Sequence, residues 1–400
     1  MFGWEYPPRH SGGLGVACQG IVQGLLQHGV HVTLVLPNDD ATDEKNLTVR
    51  FPTAQNMSTM FVQSDLQPYD GFASYALRQS GMPLPDGTVD LYGPDLGEAV
   101  ERFTALAVPL TRDAHPDVVH CHDWMTFEAG LRAGAHHGKP VVAHIHATEL
   151  DRTDFHPNPW IAERERSALL KADHVIAVSQ YTKNILQRQY GIPGGKISVV
   201  HNGHDQPKNT APSPLVTRYG QAKQPMVLFL GRLTVQKNPM QFLEIAQRVH
   251  RLRPDVRFVM AGDGPMLPYL MSEACRRKVD HCVFFAGKVH KKEVQSLYRE
   301  ADCFVMPSLS EPFGLVALEA IAHDTPVILS KQSGVAEVVE HAFKVDYWDA
   351  DLMADCLLTI LREKPLARQL RTEAAKTIQR LSWKNQAGKI HSIYHDLIQS

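Results

Sequence analysis

Two glutamates in the second half of the chain are spaced so that each could hold a diol. Glu311 and Glu319 enclose the segment Pro-Phe-Gly-Leu-Val-Ala-Leu. Because proline suits the first turn of a helix, the sequence predicts a helix over residues 313–322 that begins directly after Glu311. At about 1.5 Å per residue the carboxylates would lie on the order of 10 Å apart, too far for a glycosidase pair but suitable for a sugar and a ribose. A water-facing helix acid is the alternative for Glu319, although its apolar neighbours argue against it.

Two cations follow a predicted strand at residues 226–230. Arg232 and Lys237 belong to the loop at the carboxyl end of that strand, where open α/β sheets bind ligands. A guanidinium binds phosphate as a fork and an ammonium as a point charge, so the pair could neutralise a diphosphate and stabilise its departure. A solvated loop that happens to carry two cations is the alternative interpretation.

A glycine-rich loop near the start of the chain could bring backbone N–H groups to a ligand. Gly12 and Gly13 precede Leu14, and apolar residues recur from there at helical spacing as far as Leu25. The positive end of such a helix suits a phosphate or a sugar oxygen. A turn required only for close packing of strand and helix explains the same glycines equally well.

Two histidine pairs raise the possibility of a metal site. His120 and His122, like His144 and His146, lie two residues apart at the end of a predicted strand. Side chains two residues apart on a strand face the same side and could bind zinc. A metal-dependent hydrolase would need further ligands from a single barrel, and the sequence shows none. We therefore predict no metal ligand and interpret His146 as a polar contact to substrate at the end of a strand.

Short apolar runs alternate with amphipathic segments along the whole chain, which indicates repeated strand–helix units and parallel sheets. The prediction is an α/β protein with two doubly wound, Rossmann-like domains facing across a cleft, covering residues 1–205 and 223–381, with a linker at residues 206–222. Residues 38–97 form an elaborated excursion whose role the sequence does not define. So few residues precede Gly12 that either the first strand is very short or the sequence begins late. The predicted strands are 31–36, 117–120, 141–146, 174–178, 197–201, 226–230, 257–261, 282–286, 302–306 and 326–329.

Composition excludes several classes of protein. The chain has 400 residues, a net charge of −2, 44% hydrophobic residues and no long basic run, so nucleic acid is not an expected partner. No stretch of about 18 apolar residues suggests a transmembrane helix, and no signal peptide is evident. The six scattered cysteines suit buried thiols in the cytoplasm better than disulfides. Oligomeric state is left open.

Taken together, these motifs resemble the GT-B retaining glycosyltransferases of family 4, the broad glycosyltransferase group 1 that includes glycogen synthases. The resemblance covers nearly the whole chain, and it identifies residues 382–400 as a terminal helix returning to the first domain. One departure is the absence of a lysine immediately before the glycine pair. The matching segments are Trp4–Pro8, Gly12–Gly15, His120–Trp124, His144–Glu149, Val178–Ser179, His201–Gly203, Gly231–Arg232, Lys237–Asn238, Gly262–Pro265 and Glu311–Glu319.

The resemblance implies a role for each site residue. Arg232 and Lys237 would bind the donor diphosphate, Glu319 the ribose, and Glu311 the transferred sugar together with His146. Catalysis would therefore involve His146, Glu311, Arg232 and Lys237, without a cofactor or a metal. The residues implied for donor binding are Gly12, Gly13, Leu14, Arg232, Lys237, Pro312, Phe313, Gly314, Leu315 and Glu319.

The expected function is retaining transfer of a hexosyl unit, glucosyl by preference, from a UDP-, ADP- or GDP-sugar to an acceptor hydroxyl. Retention could follow a front-face path or a double displacement, and Glu311 suits a sugar ligand better than a nucleophile. The main alternative is a non-catalytic subunit that binds a nucleotide sugar. A sugar-nucleotide epimerase or a phosphorylase of the same fold is less favoured, because no additional acid–base pair and no pyridoxal-phosphate lysine site is apparent.

Overall fold

The computed structural model describes residues 1–7, 12–38, 57–63, 96–204 and 224–399, with the backbone alone at 38, 57–63 and 291. In these ranges strands that form parallel sheets alternate with helices along the chain, as predicted for an α/β protein. The predicted linker at residues 206–222 lies outside the described residues, and so does most of the excursion at 38–97. No helix within the described ranges is long and apolar enough to cross a membrane.

The first sheet is assembled around a very short first strand. Phe2 forms parallel bridges to both Val35 and Cys121, and its N–H donates to the carbonyl of His120 at 2.8 Å. The sheet therefore runs β2-β1-Phe2-β3-β4-β5-β6. The strand at residues 57–63 was not predicted. The named strands of the first sheet are β1 Val32–Asn38, β2 Met57–Gln63, β3 Val119–His122, β4 Val141–Ile145, β5 His174–Ala177 and β6 Ile197–Val199.

The second sheet is parallel throughout and doubly wound. Its order is β9-β8-β7-β10-β11-β12, so the winding reverses between β7 and β10, where a ligand crevice is expected. The predicted strands at 226–230 and 257–261 match the structure, whereas the last edge strand was not predicted. The strands are β7 Met226–Leu230, β8 Arg257–Ala261, β9 Val283–Gly287, β10 Cys303–Met306, β11 Val327–Ser330 and β12 Phe343–Val345.

Helices cover both sheets through apolar faces. In the helix over 239–252, the predicted face of Phe242, Ile245, Ala246 and Val249 is completely buried. The cysteines are all unpaired, and only Cys275 is exposed. The helices are α1 Gly13–Gln27, α2 Leu96–Leu110, α3 Trp124–His137, α4 Glu149–Arg152, α5 Pro159–Lys171, α6 Gln180–Arg188, α7 Pro239–Leu252, α8 Leu267–Arg276, α9 Lys291–Glu300, α10 Leu315–Ala322, α11 Val335–Val338, α12 Ala350–Arg362, α13 Lys364–Arg380 and α14 Trp383–Gln399.

The last helix, α14, packs on the first half of the molecule. Trp383, Ala387 and Ile390 belong to the same buried apolar cluster as α1 and the first sheet. A Cβ atom added at Gly20 of α1 would lie 2.1 Å from the Trp383 ring, which leaves room for glycine alone. After the second half, the chain therefore returns to the first half, where α14 packs.

Candidate active site

A lysine and a glutamate meet at the reversal point of the second sheet. Lys237 follows β7 in a short 3-10 turn and Glu311 follows β10, and Lys237 Nζ lies 2.5 Å from Glu311 Oε2. The Ser308 hydroxyl donates to the same oxygen at 3.3 Å. The Glu311 side chain is 7% exposed and that of Lys237 is 21% exposed. The pair is therefore largely shielded from water, while part of the lysine side chain stays accessible.

Glu311 pairs with a neighbouring segment through a single parallel bridge to Ser333, and no helix begins directly after it. The Glu311 N–H donates to Gln332 O and its carbonyl accepts from Gly334 N–H, both at 2.9 Å. Helix α10 begins only at Leu315, because Gly314 before it takes a left-handed φ of +107°. The predicted helix start directly after Glu311 is therefore wrong by two residues, and Pro312 lies outside the first turn. This pairing places the Glu311 carboxylate beside Lys237.

The other predicted donor contacts of the second half lie on neighbouring elements. Glu319 lies on α10, is partly buried and accepts a hydrogen bond of 3.1 Å from the hydroxyl of Tyr298. Arg232 is partly buried in a loop whose next residue, Leu233, donates from its N–H to Asp263 O at 2.9 Å. A Cβ at Gly264 would lie 2.6 Å from Leu233 O, so the two loops require glycine to pack this closely. Close loop packing thus fixes the backbone that carries Arg232.

The glycine loop of the first half lies against the start of α10. Gly12 occupies the N-cap of α1, and no side chain at this position accepts from the first N–H groups of the helix. A Cβ added at Gly13 would lie 3.6 Å from Cδ1 of Leu315. The N-termini of α1 and α10 therefore adjoin across the two halves, and Gly13 is exposed while Leu14 is buried.

His146 lies at the carboxyl end of β4 and is 9% exposed. Its backbone N–H donates to Asp123 Oδ1 at 2.7 Å, and the other Asp123 oxygen accepts from Arg152 at 3.2 Å. Asp123 has a φ of +60°, a strained conformation for a residue other than glycine. Burial lowers the pKa of His146, against the opposing effect of the Asp123 charge. The imidazole is therefore neutral near pH 7 and can donate or accept a hydrogen bond.

His146 belongs to a cluster of four stacked imidazoles, the histidine cluster, formed by His120, His122, His144 and His146. Strand pairing sets His122 opposite His144, and rings bond across the strands, with 3.2 Å between His120 Nε2 and His144 Nδ1 and 3.0 Å between His122 Nδ1 and His146 Nε2. Burial lowers the pKa of all four. The two sequence pairs signalled this cluster, but only the strand register joins them.

Further contacts connect the two halves around Glu311. The Ser179 hydroxyl donates to Pro312 O at 2.6 Å, and the Ser310 hydroxyl donates to the buried carboxylate of Asp151. Glu337 accepts from the N–H of Tyr181 at 2.5 Å. The sequence motifs include Ser179 but not Ser310, Asp151 or Glu337, and they did not reveal these contacts, because the partners lie more than a hundred positions apart. They hold the Glu311 segment against the first half.

Known families match most of the chain. Residues 85–206 match the family Glycosyltransferase Family 4, and residues 219–377 match the family Glycosyl transferases group 1. The α-maltose-1-phosphate synthase of Mycolicibacterium smegmatis is 30% identical over 353 residues, which cover 78% of this chain and 88% of that protein. An uncharacterized glycosyltransferase of Methanocaldococcus jannaschii is 29% identical over 413 residues, covering 98% of this chain and 97% of that protein.

A solved structure shows the same architecture. Sucrose-phosphate synthase from Thermosynechococcus elongatus superposes with a TM-score of 0.78 at 20% identity, covering 100% of this chain and 98% of the other. The protein belongs to the group 1 glycosyltransferases of family 4 and has the GT-B fold, as the sequence motifs predicted. It is an enzyme of the hexosyltransferase class.

Proposed function

We propose that the protein transfers a hexosyl unit, with retention of configuration, from a nucleoside diphosphate sugar to an acceptor hydroxyl without a metal ion. The observation that carries this proposal is the contact of 2.5 Å between Lys237 and Glu311 at the reversal point of the second sheet. A shielded cation and carboxylate side by side suit the junction between a diphosphate and a sugar. The N-termini of α1 and α10 adjoin close to this junction and offer backbone donors.

Each residue then has a defined task. Arg232 and Lys237 bind the diphosphate and stabilise the charge that develops as it leaves, which makes a metal unnecessary for that step. Glu319 accepts hydrogen bonds from the ribose, and Glu311 accepts them from the sugar hydroxyls. Neutral His146 contacts the same sugar from the first half. The unpaired cysteines fit a cytoplasmic setting.

Glu311 is better suited to holding a sugar than to attacking it. Its carboxylate is neutralised by Lys237, and one of its oxygens also accepts from Ser308. Both contacts reduce its nucleophilicity. We therefore propose front-face retention, in which the leaving phosphate takes the proton of the incoming hydroxyl while that oxygen bonds to the anomeric carbon and the glycosidic C–O bond breaks.

The proposed donor is UDP- or ADP-glucose, and the proposed acceptor is a sugar or sugar phosphate. The similar proteins of M. smegmatis and T. elongatus, a maltose-1-phosphate synthase and a sucrose-phosphate synthase, make a sugar phosphate, which supports the proposed acceptor class. GDP-glucose belongs in the same donor panel.

The test incubates the protein with UDP-, ADP- and GDP-sugars and a set of sugar acceptors, and measures released nucleoside diphosphate and the anomeric configuration of the product. We expect turnover with at least one donor, an α-linked product from an α-linked donor, and no loss of rate in a chelator. Glu311→Gln should abolish turnover, whereas Lys376→Ala, at an exposed pair with Glu373, should not. If the protein binds a donor but transfers its sugar to none of the acceptors, the proposal is wrong and the protein is a non-catalytic subunit that binds a nucleotide sugar.

A further inference from the structure

A thiol lies close to two imidazoles beneath the cleft. Cys18 comes from α1, His122 ends β3 and His146 follows β4, and one ligand atom from each residue lies within 4.8 Å of the other two. Cys18 and His122 are completely buried or nearly so, at 1% and 0% exposure. Three elements of the first half therefore bring a sulfur and two nitrogens close together. Of these three residues, the proposed reaction uses His146 alone.

The spacing of the two imidazoles suits a shared cation. His122 Nδ1 and His146 Nε2 lie 3.0 Å apart. Zinc–nitrogen bonds of about 2.0–2.1 Å at a tetrahedral angle separate two ligand nitrogens by about 3.3 Å, so a small tilt would suffice. The outer ring nitrogens, His122 Nε2 and His146 Nδ1, have no hydrogen-bond partner among the described residues, so a tilt breaks no bond there.

Two buried carboxylates favour a cation at this point. Asp123 and Glu5 are 3% and 1% exposed and lie close enough to the Cys18 sulfur to act on it electrostatically. Asp123 also pairs with Arg152, at 3.2 Å. Negative charge buried beside the three ligand atoms favours a divalent cation there. When the sulfur–metal bond forms, the thiol proton leaves to solvent and the metal charge stabilises the thiolate.

We propose that Cys18, His122 and His146 form a binding site for Zn²⁺, with one coordination position left for water. Thiolate with imidazole is a ligand set that zinc prefers over the hard cations. Zinc bound here would occupy His146 and withdraw it from the donor sugar, so it would inhibit transfer. This consequence rests on the proposed function, whereas the metal site itself does not.

Cobalt(II) provides a direct test, because a thiolate ligand gives Co²⁺ a charge-transfer band in the near ultraviolet. Titration of the metal-free full-length protein with CoCl₂ should produce this band, and one equivalent of ZnCl₂ should remove it. Cys18→Ser should eliminate the band and weaken zinc binding at least tenfold, while Cys356→Ser in the second half should preserve both. A second variant, His122→Gln, retains the thiol and should also weaken binding at least tenfold. An unchanged band in Cys18→Ser, or none in the wild type, would overturn the site.

The activity arm tests the consequence for transfer. Zinc should inhibit the wild type reversibly, with full recovery in a chelator, and Cys18→Ser should withstand at least tenfold more zinc at unchanged basal activity. Inhibition that is equal in both proteins would overturn the link to His146. Absence of turnover in every protein would refute the proposed function, while the cobalt spectrum would still decide the metal site.

Discussion

The carboxyl edges of the two sheets face the same cleft with opposite chemistry. At the first sheet His146 follows its strand, and the other three imidazoles of the histidine cluster lie buried behind it. All four are at most 9% exposed and are kept neutral by burial. The second sheet presents Lys237, Arg232 and Glu311, whose charges are paired or partly exposed. A donor with an anionic diphosphate at one end and a neutral sugar at the other fits this division.

The difference shows how one architecture provides two kinds of surface. Where ring packing removes water, an ionisable group becomes neutral because the charged form is poorly solvated. Where an ammonium and a carboxylate lie side by side, their opposite charges attract each other. The first half can thus contact a sugar without adding charge, and the second half can neutralise a diphosphate.

The largest expected effect comes from neutralising the second edge. Lys237→Met should lower kcat by about 10²–10³, because it removes a cation from the leaving group. It should also reduce the free energy of unfolding by about 3 kcal/mol, because buried Glu311 loses its partner. Urea unfolding and steady-state kinetics measure both effects. The double variant Lys237→Met/Glu311→Gln should regain stability without activity, and wild-type turnover in Lys237→Met would contradict the assignment.

Acid should destabilise the first edge. The unfolded histidines take up protons near pH 6.5, whereas the buried ones, whose pKa is lowered, do not, so the unfolded state binds more protons. The free energy of unfolding should therefore fall as the pH drops below 6.5, by about 1.4 kcal/mol per pH unit for each such histidine. Urea unfolding at pH 7.5, 6 and 5 in a chelator measures this slope. His144→Gln should flatten it relative to exposed His136→Gln, and equal slopes would contradict the explanation.

Removing a contact between the two edges should have a smaller effect. Ser310→Ala leaves Asp151 without one of the hydrogen bonds that oppose the burial-raised pKa of this carboxyl. We expect a loss of about 1–2 kcal/mol in the free energy of unfolding. The surface variant Ser392→Ala is the control for urea unfolding. A loss no greater than that of the control would show that the contact contributes nothing.

The smallest effect is expected at the ribose end. Glu319→Gln should raise the donor KM by about tenfold or less and leave kcat within about twofold, because it weakens binding equally in the ground and transition states. Initial rates at varied donor concentration measure this change, with exposed Glu300→Gln as the control. A large fall in kcat without a change in KM would place Glu319 in the chemical step.

Local patterns predicted the regular elements well. The strands at 226–230 and 257–261 and the apolar face of α7 follow from short apolar runs and helical spacing. Strand β12 was missed because a three-residue edge strand with partly buried residues carries too little pattern. The start of α10 was misplaced because pairing of Glu311 with the segment around Ser333 overrides the helical preference of Pro312.

The site was predictable in its residue types but not in its contacts. Motifs identified Glu311, Lys237 and His146, yet the sequence does not reveal that Lys237 contacts Glu311 across 74 positions. The histidine cluster needed the register that pairs His122 with His144. Contacts of this kind depend on how sheets and halves assemble, which short-range spacing does not encode.

The return of α14 to the first half has a consequence for synthesis and folding. A ribosome releases the segment over 383–399 only after the entire second half has been made, yet Trp383 and Ile390 complete the core around α1. The first half therefore remains open during synthesis, with Gly20 and Gly24 presenting an uncovered groove. A fragment ending near residue 204 should expose this groove and aggregate, whereas the same fragment supplied with the α14 segment should be rescued.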